Sequence, residues 1–162
     1  MARISKLDPH GQIQASPPVP CTPLWRLGFR PFYLLAAAFA VLAIPFWLAH
    51  YLGWLAVPVH VDVFWHAHEM VFGFAVAVII GFLYTAGRNW TGLWTPRGHR
   101  LALIAGLWLL GRLAMLLADP RIAAVVDLAF LPAAAWPLYQ VLARAQNKRN
   151  LMLLGILFLL WI

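Results

Sequence analysis

The sequence predicts an all-α fold, a polytopic bundle of transmembrane helices, and three observations carry this prediction. Of the 162 residues, 64% are hydrophobic and only 10% are charged, whereas soluble domains typically carry about 25% charged residues. The mean hydropathy is +0.80. Apolar stretches also recur at roughly the 20 residues that a helix needs to cross the hydrocarbon core. Together these features exclude a soluble globular domain.

Four apolar stretches have the length of a complete span, and a fifth is shorter. The complete stretches cover residues 31–49, 64–86, 101–118 and 122–143. The fifth covers residues 151–162, and about a dozen residues are too few to cross the hydrocarbon core. We therefore expect four complete transmembrane helices and a truncated fifth within a membrane region over residues 24–162.

Residues 1–23 precede this region and have the composition of a flexible cytoplasmic arm. Four prolines lie between residues 17 and 23, among polar neighbours, and such segments do not form a packed core. Cys21, the only cysteine, lies in the arm. A single cysteine excludes an intramolecular disulfide and a zinc site built from several thiolates.

The basic residues fall almost entirely on one side of the predicted spans. Ten of the 12 Lys and Arg residues lie before the first span, between the second and third, or between the fourth and fifth; Arg112 and Arg121 are the exceptions. By the positive-inside rule this side is the cytoplasm, so the N-terminus is expected there. Because topology accounts for the net charge of +7, we expect no nucleic-acid partner.

The second span opens with the polar cluster Trp65-His66-Ala67-His68-Glu69-Met70. Ionisable side chains in a span are costly and mark a functional site by default. On a regular α-helix, His66, Glu69 and Met70 share a face that continues as a stripe of small residues, and this face is expected to meet another helix. His68 falls on the opposite face, suited to a flat cofactor, a neighbouring helix or the lipid boundary. The two histidines are therefore not expected to bind one ion.

Two further charges are expected at the depth of Glu69. At about 1.5 Å per residue, Glu69, Arg112 and Asp127 each lie roughly 8–9 Å from the outer end of their spans. A paired set of buried charges offsets much of its desolvation cost. We expect Arg112 to lie between Glu69 and Asp127, or one of these carboxylates to orient a histidine ring.

The residues alone leave the chemistry of this charge layer open. His66 and Met70, at i and i+4, suit copper, and His68 suits a haem on the other face. A proton or ion relay uses the same residue types, and a structural polar contact is the third alternative. No nucleophile and base arrangement, phosphate loop or nucleotide fingerprint occurs. The sequence therefore predicts no enzyme class.

Several motifs resemble the opening of the NnrS family. They are Leu24-Trp25-Arg26-Leu27-Gly28-Phe29-Arg30-Pro31-Phe32, the cluster from Trp65 to Phe74, Gly81-Phe82-Leu83-Tyr84-Thr85-Ala86 and Asn89-Trp90-Thr91-Gly92. The resemblance implies a multi-span protein of the bacterial inner membrane that contains haem and copper. It also implies a part in the response to nitric oxide and nitrosative stress, as in denitrification.

The resemblance further implies a metal or haem role for His66 and His68, with nitric oxide as a partner. It leaves open which histidine binds which metal. Because the family's members have more spans, we also expect partner helices beyond this chain. Two alternatives remain: a component of a proton, ion or metal transporter that uses Glu69, Arg112 and Asp127, and a truncated remnant without function.

Overall fold

The computed structural model describes residues 22–57 and 61–161, and every regular element in this part of the chain is a helix. Four helical stretches are long and apolar enough to cross a membrane: Phe29–Tyr51, Val63–Thr91, His99–Leu117 and Pro120–Arg144. The predicted all-α transmembrane architecture is thereby confirmed. The predicted arm lies outside the described residues up to and including Cys21, as does Ile162 at the end of the fifth stretch.

The helices extend beyond the apolar stretches in most places. After a short 3₁₀ helix, Pro23–Arg26, the elements are α1 Phe29–Tyr51, α2 Val63–His68, a π-helical segment Glu69–Ala75, α3 Val76–Thr91, α4 His99–Leu117, α5 Pro120–Arg144 and α6 Lys148–Trp161. Hydropathy identifies only the apolar part of a helix. The helical backbone hydrogen bonds continue into the polar residues that follow the apolar stretch. For this reason α3 runs five residues past the predicted end of the second span.

Local sequence signals account for where these helices begin and end. The side chain of Asp62 caps α2 by accepting a 2.8 Å hydrogen bond from the backbone N–H of Trp65. Asp119 caps α5 in the same way, and Pro120 occupies its first position, where the missing N–H costs nothing. Gly92 ends α3 in the left-handed conformation, with φ of 69°, which glycine adopts without a steric penalty.

The stripe of small residues in the second span packs against α1, as the sequence predicts. A Cβ at Gly81 would lie 3.0 Å from the side chains of both Phe32 and Tyr33. On the other side of α3, the buried Tyr84 hydroxyl donates a 2.8 Å hydrogen bond to the carbonyl of Ala134 in α5. α4 and α6 both pack against α5. The second span therefore lies in the centre of the bundle.

The second span is not one regular α-helix. Between α2 and α3, residues Glu69–Ala75 form a π-helix, whose backbone bonds join residues five apart and which often occurs at functional sites. The carbonyl of Gly73 in this segment accepts a 3.0 Å hydrogen bond from Nε1 of the buried Trp108 in α4. The widened turn thus begins at the polar cluster and is bonded to a neighbouring helix.

The two ends of the bundle differ in charge. Because successive spans alternate in direction, the four carboxylates of the described residues, Asp62, Glu69, Asp119 and Asp127, lie toward one end. Eight of the ten described Lys and Arg residues lie at the other end, and the two exceptions are Arg112 and Arg121. We refer to these as the acidic end and the basic end.

Candidate functional site

Four polar side chains near the acidic end form a closed ring, which we call the charge ring: His68, Glu69, Arg112 and Asp127. Arg112 Nη1 donates to Glu69 Oε2 at 2.8 Å, and Nη2 donates to Asp127 Oδ1. The ring closes through His68, whose Nδ1 is 3.3 Å from Glu69 Oε1 and whose Nε2 is 3.2 Å from Asp127 Oδ2. Four elements, α2, the π-helical segment, α4 and α5, each contribute one residue.

The charge ring is buried where unpaired charges would be most costly. Glu69 is 0% exposed and Arg112 is 5% exposed. Removing such groups from water costs several kcal/mol each, and only close pairing with good hydrogen bonds offsets the cost. The two-pronged guanidinium suits this arrangement because one arginine can donate to two carboxylates. Arg112 thus lies between the two acids, in the position considered from the sequence.

Two glycines make room for the charge ring. A Cβ at Gly73 would lie 2.6 Å from Phe39 Cε1 and 2.9 Å from Glu69 Oε2. A Cβ at Gly111 would lie 3.3 Å from Asp127 Oδ1. Gly73 therefore lets the Glu69 carboxylate lie beside α1, and Gly111 lets α5 bring Asp127 close to α4.

His68 does not face away from the charge layer, and that sequence prediction was wrong. Both of its nitrogens contact ring carboxylates, and its ring also stacks on Phe72 at a centroid distance of 4.7 Å. Successive helical residues are only about 100° apart around the helix axis. The side chains of His68 and Glu69 can therefore lie on either side of a helix that packs between them. α5 approaches there and supplies Asp127. A neighbouring helix, one of the three alternatives for this face, is what His68 meets.

His66 lies apart from the charge ring and faces α1. Its ring stacks on Trp47 with centroids 4.0 Å apart and planes at 16°. Its Nδ1 is buried and has no hydrogen-bond partner among the described residues. Met70 is half-buried beside the neighbouring apolar cluster of Ala43, Val61 and Trp65. His66 is thus the histidine of the pair with an unengaged buried nitrogen.

The two histidines differ in how well they fit a metal or haem. His66 has a ring nitrogen available for one bond, and the imidazole is already oriented by Trp47. In His68 both nitrogens contact carboxylates, so a metal there would have to displace Glu69 or Asp127. Within residues 22–57 and 61–161, no three His, Cys, Asp or Glu side chains are grouped as a metal site. Of the two histidines, His66 is therefore the one that fits a metal or haem.

A cavity of about 830 Å³ opens beside the charge ring. Its polar wall includes His68 and Asp127, and its apolar wall includes Phe72, Leu131 and Trp161. This volume is within the range of about 300–1,000 Å³ that is typical of small-molecule sites. The arrangement can therefore present a histidine and a carboxylate, both already oriented, to a bound molecule.

Sequence reasoning missed two tryptophans that position these groups. Trp47 supports the ring of His66, and Trp108 bonds to the π-helical segment. Tryptophans in spans are usually assigned to the membrane boundary. For Trp108, depth was the available signal, because it lies near the middle of α4 and only four residues before Arg112.

The comparisons with known proteins agree with this description at the level of family. A family model described as NnrS protein matches residues 23–162. No curated protein and no solved structure matches the chain. The matched range contains the charge ring, His66, Met70 and all the described helices.

Proposed function

Because the chain belongs to the NnrS family, we propose that it binds haem and copper and contributes to the response to nitric oxide and nitrosative stress. We place it in the bacterial inner membrane as a multi-pass protein with its N-terminus in the cytoplasm. The observation that carries the proposal is the family match over residues 23–162. The four membrane-length helices support the membrane location. The concentration of Lys and Arg residues at one end of the bundle supports the orientation.

His66 is the proposed metal-binding residue, with Met70 as the second ligand. The supporting observation is the buried and unpartnered Nδ1 of His66. Neutral imidazole binds copper and haem iron, and the thioether of methionine suits copper(I). Copper or haem iron, when bound, would supply a centre for nitric oxide. The protein's part is to hold the imidazole against Trp47 and to keep the site among apolar side chains.

His68 has a different role in this proposal. Glu69 and Asp127 fix the orientation of its ring, as carboxylates do for histidines near metals, and Arg112 holds both carboxylates. If His68 binds haem, one carboxylate contact must open first. The charge ring would then retain Arg112 as the partner of the displaced acid. We therefore expect His68 to be less directly required for copper than His66.

Metal analysis of the purified full chain tests the proposal. In a mild detergent, the wild-type protein is expected to show a Soret band and to contain copper. His66→Ala should lower copper affinity roughly tenfold or more, since even losing a residue that only supports a ligand costs about 10–100-fold. His99→Ala, an exposed histidine at the basic end, is the matched control and should retain both. Wild-type protein with neither haem nor copper would contradict the proposal.

Proton or ion transport is a second candidate, and the charge ring beside a cavity favours it. Relays in membranes use buried Asp, Glu and His side chains, and His68 and Asp127 both line the cavity. Proteoliposomes with a pH-sensitive dye inside would report proton flux. Under this alternative, flux should appear with wild-type protein and fall with Asp127→Asn. Equal, background flux from both proteins would exclude proton transport.

A further inference from the structure

Two arginines at the basic end contact the ring of one tryptophan. The Cζ of Arg88 is 3.5 Å from the ring centroid of Trp94, and the Cζ of Arg97 is 4.0 Å from the same centroid. Arg88 is in the last turn of α3, whereas Trp94 and Arg97 are in the loop that leads to α4. We call these three residues the arginine–tryptophan stack.

Among the residues that the structure describes, no carboxylate balances the positive charge of this stack. All four carboxylates of the described residues lie toward the acidic end, and each described ion pair belongs to the charge ring. Trp94 attracts both guanidinium groups through its π face, but it carries no net charge. Two like charges held by one ring repel each other. The stack is therefore a site where an anion would be stabilised.

The donors of the stack suit phosphate. A guanidinium that stacks on an aromatic ring still has N–H donors in its plane, and their fork matches phosphate oxygens. Arg88 and Arg97 are each half-buried, and Trp94 is 37% exposed, so the stack can be reached from outside the bundle. Because Trp94 holds both arginines, less side-chain entropy is lost when they bind an anion.

We propose that the arginine–tryptophan stack binds the phosphate of an anionic phospholipid headgroup in the leaflet at the basic end. The stack connects two membrane-spanning helices, and tryptophan at such a position lies at headgroup level. The neighbouring Trp90 and Leu93 are exposed apolar side chains, which suit the edge of the acyl region. Basic residues at this depth attract anionic lipids. This assignment is independent of metal binding at His66.

Lipid titration of the purified full chain tests this site. Delipidated protein would be titrated with phosphatidylglycerol and with phosphatidylcholine of the same acyl chains, and bound lipid counted by native mass spectrometry. The wild-type protein should prefer phosphatidylglycerol. The double variant Arg88→Gln/Arg97→Gln should lose roughly 30-fold of that preference, from about 1 kcal/mol for each arginine–phosphate hydrogen bond that is lost. Trp94→Leu, which leaves both charges but removes their support, should lose part of it.

A second double variant separates a specific site from general positive charge. Arg144→Gln/Arg149→Gln removes the same charge from the same end of the bundle without touching the stack, and should keep the preference. An equal loss in this control would overturn the proposal, as would a wild-type protein without preference. A third titration adds inorganic phosphate as a competitor to the lipid-bound protein. If millimolar phosphate displaces the lipid completely, the site binds free phosphate and the lipid assignment is wrong.

Discussion

The charge ring and the arginine–tryptophan stack place arginines in opposite surroundings. Arg112, in the ring, is 5% exposed and donates to two carboxylates, whereas Arg88 and Arg97 are half-buried and contact an aromatic ring. Because Arg112 is almost completely removed from water and lipid headgroups, the protein itself must supply its counter-charge. At the end of the bundle, solvent and lipid can do so. Substitutions should therefore affect folding in the first region and binding in the second.

Replacing Arg112 should have the largest effect on stability. Arg112→Ala would leave the fully buried Glu69 without its cationic partner, and breaking a buried pair in this way costs about 3–5 kcal/mol. The free energy of unfolding can be measured by titrating micelle-bound protein with a denaturing detergent. Arg144→Ala, an exposed arginine at the basic end, is the control and should change stability by less than about 0.5 kcal/mol. Equal losses of stability in Arg112→Ala and Arg144→Ala would contradict the expected difference between the two regions.

Gly73→Ala should have the next largest effect, because the new methyl group would collide with both Phe39 and the Glu69 carboxylate. Forcing extra atoms into a packed site costs about 1–3 kcal/mol. Gly106→Ala in α4 is the matched control, since a Cβ there meets nothing within 4 Å. Alanine is also the better helix former, so the same unfolding titration should find Gly106→Ala neutral or slightly stabilising. If Gly73→Ala is also neutral, the site has room for the methyl group and the packing around Gly73 is not tight.

His68→Phe should destabilise the protein less than either change. The phenyl ring can keep the stacking on Phe72 but loses the contacts with Glu69 and Asp127. Both carboxylates would retain Arg112, so the expected loss is about 1 kcal/mol, the size of one ordinary hydrogen bond. The unfolding titration measures this as well. A loss as large as that of Arg112→Ala would mean that the histidine, rather than the arginine, holds the ring together.

Changes in the arginine–tryptophan stack should have the smallest effect on stability. Arg88→Gln/Arg97→Gln removes charges that are partly exposed and have no ionic partner among the described residues, so each should cost no more than about 0.5 kcal/mol. Thermal unfolding in a detergent without anionic groups would measure this without lipid binding. A strong destabilisation there would show that the stack holds the α3–α4 loop in place.

Much of the fold could be predicted from hydropathy, because each span is a continuous apolar run bounded by polar residues. The helix ends could not be, since polar residues such as Arg88 and His99 continue the helices into the boundary region. The depth of each residue within its span was sufficient to predict that Glu69, Arg112 and Asp127 lie in one layer. The position of His68 was missed because the approach of α5, which brings Asp127 to both His68 and Arg112, is a property of the packed bundle.

The arginine–tryptophan stack shows the other limit of sequence reasoning. Trp94 lies in a loop, where neither helical nor strand periodicity predicts which side chains will meet. Arg88 precedes it by six residues and Arg97 follows it by three. This spacing indicates contact only when the turn at Gly92 folds the chain back. An arginine on each side of a boundary tryptophan is nevertheless a pattern that could have been tested.

The π-helical segment has a further consequence for the second span. Compared with an α-helix, a π turn takes in one extra residue, so Glu69–Ala75 sets the angular phase between α2 and α3. His66 and Gly81, which lie on either side of this segment, both face α1. Deleting one residue, such as the exposed Val71, would remove the extra residue and leave an α-helical turn in its place. The span would keep its hydropathy but lose the widened turn whose Gly73 carbonyl accepts the hydrogen bond from Trp108.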